Sequence, residues 1–277
     1  MAPETAYVCV TCGVQQAPSA EPPDTCAICE DERQYVGPRG QRWTTLGEMR
    51  GSRTNRLVEL EPDLVRIDTE PSFAIGQSAY LVRTPGGNAL WDCLSYLDEA
   101  TVDEVGALGG ISAIAISHPH FYASCVEWSL AFGDAPIYLP AVDREFLMRP
   151  SPNVVAFEED EVAPVPNVRL VRVGGHFRGS TVLLWPTGAE GRGVLFTGDS
   201  VAVVADPRWV SFLYSYPNRI PLSAEEVRDV AGRVDRLEFD RLYAGWAGDV
   251  ITTGAKEAVR RSAERYVGMV EGTWPRR

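Results

Sequence analysis

The sequence has few basic residues for its length. In 277 residues it contains 26 lysines and arginines against 38 aspartates and glutamates, which gives a formal net charge of −12 at pH 7. A surface this acidic repels a phosphate backbone, and no block of basic residues offsets the charge. Nucleic acid is therefore excluded as an expected partner. The 45% of apolar residues predicts a folded chain with a sizeable buried core.

Long apolar runs are also missing. The uncharged stretch 106–126 is interrupted by glycines, a proline and two histidines, so it lacks the sustained hydrophobicity of a membrane-spanning helix. The opening residues, MAPETAYVCV, carry an acid and a proline where a secretory signal has a basic segment and an apolar run. We therefore expect a cytoplasmic protein that does not contact membranes.

Aliphatic residues are scarce in residues 1–37, which hold four of the six cysteines and the proline-rich spacer APSAEPPDT. Such a segment cannot bury a core of its own, so we expect a small module, called the ribbon below, that folds only around a metal. The polar, glycine-containing stretch 38–56 indicates a linker with one short helix. Residues 57–277 then form the main domain, and we expect that domain to fold without the ribbon.

The cysteines of the ribbon form two Cys-x-x-Cys pairs. Cys9 and Cys12 make up one pair, Cys26 and Cys29 the other, and thirteen residues separate them. Each pair supplies two sulfurs from one turn, as tetrahedral thiolate coordination requires, and without an export signal this spacing favours a metal over disulfides. The segment YVCVTCG resembles the first knuckle of rubredoxin-like modules, but CAICE lacks their usual proline and glycine. A structural zinc is therefore favoured, and iron stays open.

Short apolar runs separated by turn signals dominate the main domain. The runs AYLVRT and ALWDC flank PGGN and predict a β-hairpin, and ISAIAI predicts a buried strand. Helical spacing of apolar residues predicts helices over 101–108 and 123–132, and the Ser-x-x-Glu pattern of SAEEVRDVAGRV predicts the start of another. Strands interleaved with helices indicate a layered α/β domain.

Histidines are few, since the sequence has only three. His118 and His120 follow the strand ISAIAI in the motif SHPH, and His176 lies in GGHFRGS just before another strand. Asp199 ends the strand motif FTGD. Residues at strand ends can project into a common pocket, and three imidazoles with a carboxylate form a ligand set for zinc or iron. We therefore expect these four side chains to hold a metal.

With these motifs the sequence resembles the metallo-β-lactamase superfamily of metal-dependent hydrolases over residues 55–277. The elements ALWDC, SHPH, GGHFRGS and FTGD match the motifs of that family, and they occur in the same order along the chain. The resemblance implies an αββα sandwich in which the metal lies at the edge of the two central sheets.

The sequence departs from this family where a second metal would bind. The family pattern His-x-His-x-Asp-His becomes HPHFYA here, so Tyr122 and Ala123 replace the aspartate and the histidine. The last family histidine falls at YAGW, where Trp246 stands. We therefore expect a single zinc or iron in the histidine site, with Trp246 filling the volume of the missing ion and bordering the substrate pocket.

Further residues receive expected roles around this site. Asp92 is expected behind the metal ligands, where it orients a histidine through its free ring nitrogen. Tyr122 is expected to donate a hydrogen bond to substrate, and plain packing is the alternative. Arg178 and Arg208 are candidate contacts for an anionic group, and the aromatic segment 206–218 either lines the substrate pocket or packs in the core.

The expected function is hydrolysis of a small-molecule ester, thioester or lactone by one metal-activated water, with Asp199 accepting or orienting the proton. An iron oxidoreductase whose ribbon relays electrons is the first alternative. A non-catalytic metal-binding module that contacts a protein partner through the ribbon is the second. Nuclease and β-lactamase activities are less expected, because dinuclear members of the family use the second metal for those substrates.

Overall fold

The computed structural model describes residues 4–275, which begin with the ribbon. There the chain forms a two-stranded antiparallel sheet and two single-turn helices. These elements are β1 (Val8–Cys9), α1 (Ala27–Glu30), β2 (Trp43–Thr44) and α2 (Leu46–Met49). Because β2 and α2 both lie in the stretch 38–56, this stretch supplies a strand to the ribbon sheet as well as the expected short helix.

A seven-stranded sheet follows, with its strands side by side in chain order. Neighbours are antiparallel in the first half of the sheet and parallel in the second half. The strands are β3 (Thr54–Glu61), β4 (Leu64–Glu70), β5 (Ala79–Val82), β6 (Ala89–Trp91), β7 (Ala113–Ala115), β8 (Ile137–Pro140) and β9 (Val154–Phe157). Its crossover helices are α3 (Glu99–Ala107) and α4 (Cys125–Ala131).

A six-stranded sheet forms the other half of the main domain, in the order β10-β11-β12-β13-β18-β19. Its strands are β10 (Glu161–Val162), β11 (Arg169–Arg172), β12 (Thr181–Trp185), β13 (Val194–Phe196), β18 (Arg241–Tyr243) and β19 (Val250–Ile251). Two small hairpins lie between β13 and β18, formed by β14 (Ala202–Val203), β15 (Val210–Ser211), β16 (Leu213–Ser215) and β17 (Ile220–Pro221). The helices of this half are α6 (Ala224–Val234) and α7 (Ala255–Val270), and α5 (Gly188–Gly191) is a single turn in which Ala189 and Glu190 have left-handed backbone angles.

The central strands are buried on both faces. In β5, Leu81 packs in the layer that contains Trp128 of α4. Its neighbour Tyr80 points to the other sheet, where its ring centroid lies 5.2 Å from that of Phe196 in β13. In β12, Leu184 packs in the layer of α6 and α7. Since alternate side chains of a strand point to opposite faces, this burial produces the helix, sheet, sheet, helix order that was predicted.

Several predicted elements are confirmed. The hairpin forms from β5 and β6, which pair antiparallel with Tyr80 opposite Trp91. The strand in ISAIAI is β7, and the helices expected over 101–108 and 123–132 are α3 and α4. Ser223 caps α6 through a capping box with Glu226, as the Ser-x-x-Glu pattern predicts. Among residues 4–275, no helix combines the length and the apolar character that crossing a bilayer requires.

The ribbon packs against the main domain. Its buried residues Val14 and Ile28 lie with the cysteines in one apolar cluster, which contacts Ile75, Phe146 and Met148 of the main domain. Two backbone N–H groups of the ribbon also donate to carbonyls of the main domain, each at 3.0 Å. The ribbon therefore covers apolar surface, and its removal would expose that surface to water.

A chain shortened to residues 45–277 tests this packing. Because Ile75, Phe146 and Met148 lose their apolar contacts, we expect the shortened chain to fold but to melt about 10 °C or more below the full chain. Differential scanning calorimetry measures the midpoint, and binding of a hydrophobic dye measures the newly exposed surface. Equal midpoints for the two chains would show that the ribbon does not stabilise the main domain.

Candidate metal centre

The candidate metal centre lies where strands of both sheets end. His118 follows β7, and the 3₁₀ turn Pro119–Phe121 then carries His120. Asp199 follows β13 of the other sheet, and His176 lies in the loop between β11 and β12. The structure thus brings together four residues that are far apart in the sequence.

The four side chains converge on one point. Nδ1 of His120 lies 3.2 Å from Nε2 of His176. Oδ2 of Asp199 lies 3.4 Å from Nε2 of His118 and 3.7 Å from Nε2 of His176. A tetrahedral ion with bonds of about 2.0–2.1 Å separates its ligand atoms by roughly 3.3–3.4 Å. These donor atoms therefore have close to the spacing that one four-coordinate ion needs.

Burial keeps the three imidazoles neutral. All three side chains are buried, and burial lowers the pKa of His118 to about 3, that of His176 to about 4 and the pKa of His120 well below its usual range. At pH 7 each ring therefore offers a lone pair, which metal binding requires. Burial raises the pKa of the Asp199 carboxyl to about 6, so this group is mostly ionised at pH 7.

Three buried atoms of this cluster make no hydrogen bond to any of residues 4–275. They are Nε2 of His118, Nε2 of His120 and Oδ1 of Asp199. Of the three, Nε2 of His118 faces the centre, and because a buried polar atom without a partner costs about 1–3 kcal/mol, a structure tolerates this nitrogen where a ligand completes it. Imidazole nitrogens and a carboxylate are donors that zinc and iron accept. The residues therefore fit the metal that the sequence motifs imply.

Hydrogen bonds behind the ligands fix two of the rings. Oγ of Ser117 lies 2.8 Å from Nδ1 of His118, and the carbonyl of Leu213 lies 3.2 Å from Nδ1 of His176, which leaves each Nε2 facing the centre. The expectation that Asp92 contacts a histidine is wrong. Its Oδ1 instead accepts from the backbone N–H of Ser117 at 2.7 Å, so Asp92 positions His118 only through Ser117.

The glycine of FTGD has a steric role at this centre. Gly198 has a φ of +50°, and a Cβ at this position would lie 2.6 Å from Oγ of Ser117. Glycine therefore lets the chain after β13 approach His118 closely, which places Asp199 among the ligands.

Tyr122 does not face the cavity that opens onto the centre. Its side chain is buried in the apolar layer next to α4, and its hydroxyl donates to the carbonyl of Asp143 at 3.2 Å. Burial raises the pKa of Tyr122 well above its usual value, so the phenol is no proton acceptor at neutral pH. The expected hydrogen bond to substrate is therefore wrong, and the packing alternative agrees with the structure.

Trp246 stands in the wall of the cavity beside Asp199. Its ring packs edge to face on Phe121, with 5.9 Å between the ring centroids, and its Nε1 donates to the carbonyl of Ile75 at 3.2 Å. An indole offers no lone pair to a cation. Within residues 4–275, this centre and the cysteine cluster are the groups of three or more side chains that could bind a metal, and neither includes Trp246.

The two candidate arginines do not reach the centre. Arg178 is exposed on the surface, although it lies only two residues after His176. Arg208 is also exposed and pairs with Asp206 at 2.7 Å. Neither arginine lines the cavity, so the expectation that they bind an anionic group of the substrate is wrong.

The aromatic segment 206–218 divides between the two expected roles. Phe212 packs in the core of the second sheet. Tyr216 and Pro217 line the cavity, and the hydroxyl of Tyr216 donates to the backbone carbonyl of Asp199 at 2.8 Å. The sequence pattern locates this segment near the pocket but does not distinguish the residue that faces it.

The cavity has a volume of about 260 Å³, and three of its wall residues come from the ribbon. Sequence reasoning missed these three, because no motif connects the ribbon with the histidines. The cavity is lined by Thr11, Gln34, Tyr35, Ala74, Ile75, His120, His176, Asp199, Tyr216, Pro217 and Trp246. The site is therefore built from both parts of the chain.

The four ribbon cysteines form the other metal-binding group. Sγ of Cys9 lies 3.5 Å from Sγ of Cys29, and Sγ of Cys12 lies 3.6 Å from Sγ of Cys26. Tetrahedral coordination with bonds of about 2.3 Å separates the sulfurs by roughly 3.8 Å. All six cysteines lie within the described residues, and none forms a disulfide. The cluster therefore fits one ion held by four thiolates, as a zinc ribbon has.

Replacement of Ser117 by alanine tests the positioning of His118. Without the hydroxyl, Nδ1 of His118 loses its partner, so we expect the affinity of the histidine site for zinc to fall about 10- to 100-fold. Titration calorimetry on protein with a filled ribbon site measures this affinity. Ser124→Ala is the matched control, because Ser124 is equally buried but donates to the carbonyl of Ser95. Equal affinities in the two variants would contradict the role of Ser117.

Comparison with known proteins agrees with the fold. The family model described as the metallo-beta-lactamase superfamily matches residues 74–246. The chain is 51% identical over 263 residues to the uncharacterized protein YmaE of Bacillus subtilis (strain 168), which covers 94% of this chain and 95% of that protein.

Solved structures show the same fold at low sequence identity. The crystal structure of VMB-1 has a TM-score of 0.58 at 15% identity and covers 78% of this chain and 97% of its own. The chemotaxis sensor ODP, solved as a peroxy diiron species, has a TM-score of 0.53 at 18% identity and covers 77% of this chain and 94% of its own. Since the family model spans more than half of the chain and includes the four histidine-site residues, this protein belongs to the metallo-β-lactamase superfamily.

Proposed function

We propose that this protein is a metal-dependent hydrolase with a single ion in its histidine site, acting on a small ester, thioester or lactone. The observation that carries the proposal is the set of three neutral imidazoles and the Asp199 carboxylate, which converge at the base of a cavity. The family is metal-dependent, and the donor atoms have close to the spacing of one four-coordinate ion. Zinc and iron both suit this set.

His118, His120 and His176 would hold the ion through ring nitrogens, and Asp199 would complete the set through Oδ2. When bound, such an ion supplies a Lewis acid that polarises a carbonyl and acidifies water. Asp199 is the proton carrier of the proposal, because its Oδ1 is buried and has no partner among residues 4–275. A cation beside the carboxylate favours its ionised form, which is the form that can take a proton from water.

Asp199 therefore has two tasks on its two oxygens. Oδ1 accepts a proton from the attacking water, and the same oxygen returns it to the alkoxide or thiolate that leaves the acyl group. Trp246 and Tyr216 close the cavity beside it and limit the entry of further water. The absence of a second donor set from residues 4–275 makes phosphodiesters and β-lactams poorer candidates, because a two-ion clamp stabilises both ends of such reactions.

One observation favours a second function, an iron oxidoreductase in which the ribbon relays electrons. Thr11 lies between Cys9 and Cys12 and also lines the cavity, so the cysteine cluster adjoins the histidine pocket. Visible absorption distinguishes the two functions, because an iron–thiolate ribbon is coloured and a zinc ribbon is colourless. A colourless, zinc-loaded protein with esterase activity agrees with the hydrolase.

Metal stoichiometry is the first prediction of this proposal. The purified chain should contain two ions, because residues 4–275 offer one four-cysteine group and one histidine group. His120→Ala should remove one ion, and Cys26→Ser combined with Cys29→Ser should remove the other. Elemental analysis counts them. Three ions in the unchanged chain, or two ions in the His120→Ala variant, would contradict the proposal.

The second prediction concerns Asp199. Asp199→Asn keeps the shape of the side chain but removes its basicity, so we expect kcat for 4-nitrophenyl butyrate to fall at least about 100-fold. The visible absorbance of the released nitrophenolate measures kcat, and the metal content is measured on the same samples. Asp206→Asn is the control, because Asp206 is a surface carboxylate paired with Arg208 away from the cavity. An unchanged kcat in Asp199→Asn would overturn the role of this residue.

A further inference from the structure

One side chain of the ribbon lies directly against the metal-ligand loop. The guanidinium of Arg33 stacks on the ring of Phe177 at 3.7 Å from its centroid, and one of its N–H groups donates to the carbonyl of His176 at 3.4 Å. Asp31 accepts from the same guanidinium through both carboxylate oxygens at 2.7 Å. These contacts connect the ribbon to the loop that carries His176.

The next ribbon residues are held by the loop that carries Tyr216. Oγ of Ser215 donates to the carbonyl of Arg33 at 2.9 Å, and Nδ2 of Asn218 donates to the carbonyl of Gln34 at 3.2 Å. These bonds use backbone atoms of the ribbon and leave the side chains of Gln34 and Tyr35 free to line the cavity. The wall that they form therefore lies beside the metal centre.

The ribbon side chains of this wall have unused polar groups. Gln34 is only 8% exposed, and its amide makes no hydrogen bond to residues 4–275 but keeps contact with water, since neither amide atom is among the fully buried atoms without a partner. The hydroxyls of Thr11 and Tyr35 likewise have no partner among residues 4–275. A bound ligand with uncharged polar groups could replace the water at these three side chains with hydrogen bonds of its own. These three residues come from the ribbon and all face the same cavity.

The wall offers no positive side chain to a substrate. Among residues 4–275 no lysine or arginine lines the cavity, and the guanidinium of Arg33 in the ribbon already donates to Asp31 and to the carbonyl of His176. Asp199 contributes a negative charge instead. An anionic group placed in this cavity away from the metal would lose its hydration without gaining a partner, which is strongly unfavourable.

Resting on the proposed function, we infer that the ribbon is the substrate-recognition wall of the site and selects a small substrate with an uncharged acyl chain. Gln34, Thr11 and Tyr35 supply hydrogen bonds to that substrate. The volume of about 260 Å³ lies below the roughly 300–1,000 Å³ of drug-sized pockets, so the acyl chain is short. The ribbon thus determines specificity in addition to stabilising the fold.

A matched pair of inhibitors tests the inference by binding rather than by turnover. Succinamide hydroxamate, H₂N–CO–CH₂–CH₂–CO–NHOH, and succinic acid monohydroxamate carry the same metal-chelating group and four-carbon chain, but the first ends in a neutral amide and the second in a carboxylate. Titration calorimetry on the zinc-loaded full chain should show that the neutral compound binds about tenfold more tightly, which corresponds to roughly 1.4 kcal/mol. Gln34→Leu should weaken the neutral compound about 3- to 10-fold without changing the metal content.

A positive charge introduced into the ribbon wall of the cavity provides the most direct test of this preference. Tyr35 is 49% exposed, so Tyr35→Arg places a guanidinium at the cavity with little risk to folding. This variant should remove or reverse the preference for the neutral compound. Ala20→Arg is the matched control, because it adds the same charge at an exposed ribbon position outside the cavity and should leave the preference unchanged.

The outcomes separate this inference from the proposed function. Equal binding of the two compounds, or an equal effect of Tyr35→Arg and Ala20→Arg, overturns the ribbon's role while the hydrolase proposal stands. Failure of both compounds to bind a chain whose histidine site contains zinc overturns the hydrolase proposal, and the inference falls with it.

Discussion

The structure of the site depends on the convergence of three buried imidazoles that remain neutral at pH 7. Burial lowers the pKa of His118 to about 3 and that of His176 to about 4, so their nitrogens approach one another without charge repulsion. Two sheets and the loop before β12 must meet to bring these rings together. Ser117 and Gly198 contribute to this convergence. Ser117 orients His118, and Gly198 allows the close approach of Asp199.

Much of this arrangement could be predicted from the sequence. Short apolar runs give the strands, and the residues that follow them, such as His118 and Asp199, are placed at strand ends by chain geometry alone. Contacts across the fold could not be predicted in the same way. Asp92 lies near His118, but Ser117 stands between them, and Tyr122 lies in the ligand motif while its side chain turns into the core.

Two arginines and the ribbon also show that distance along the sequence does not predict distance in the fold. Arg178 is adjacent to a ligand in sequence and exposed in space, whereas Arg33 is distant in sequence and touches the carbonyl of His176. The composition of the ribbon predicts that a metal replaces its missing core, which agrees with the clustered thiols. It does not reveal that Gln34 and Tyr35 line a cavity of the other part of the chain. In this protein the ribbon both covers apolar surface and forms a wall of the site.

The central claim is that the histidine site holds one ion beside Trp246 and not two. Anomalous diffraction from a crystal of the metal-loaded protein, recorded at the zinc and iron absorption edges, tests it most directly. One anomalous peak is expected between His118, His120, His176 and Asp199, and one between the four ribbon cysteines. A further peak about 3.5–4 Å from the first would reveal a dinuclear centre and would contradict the account.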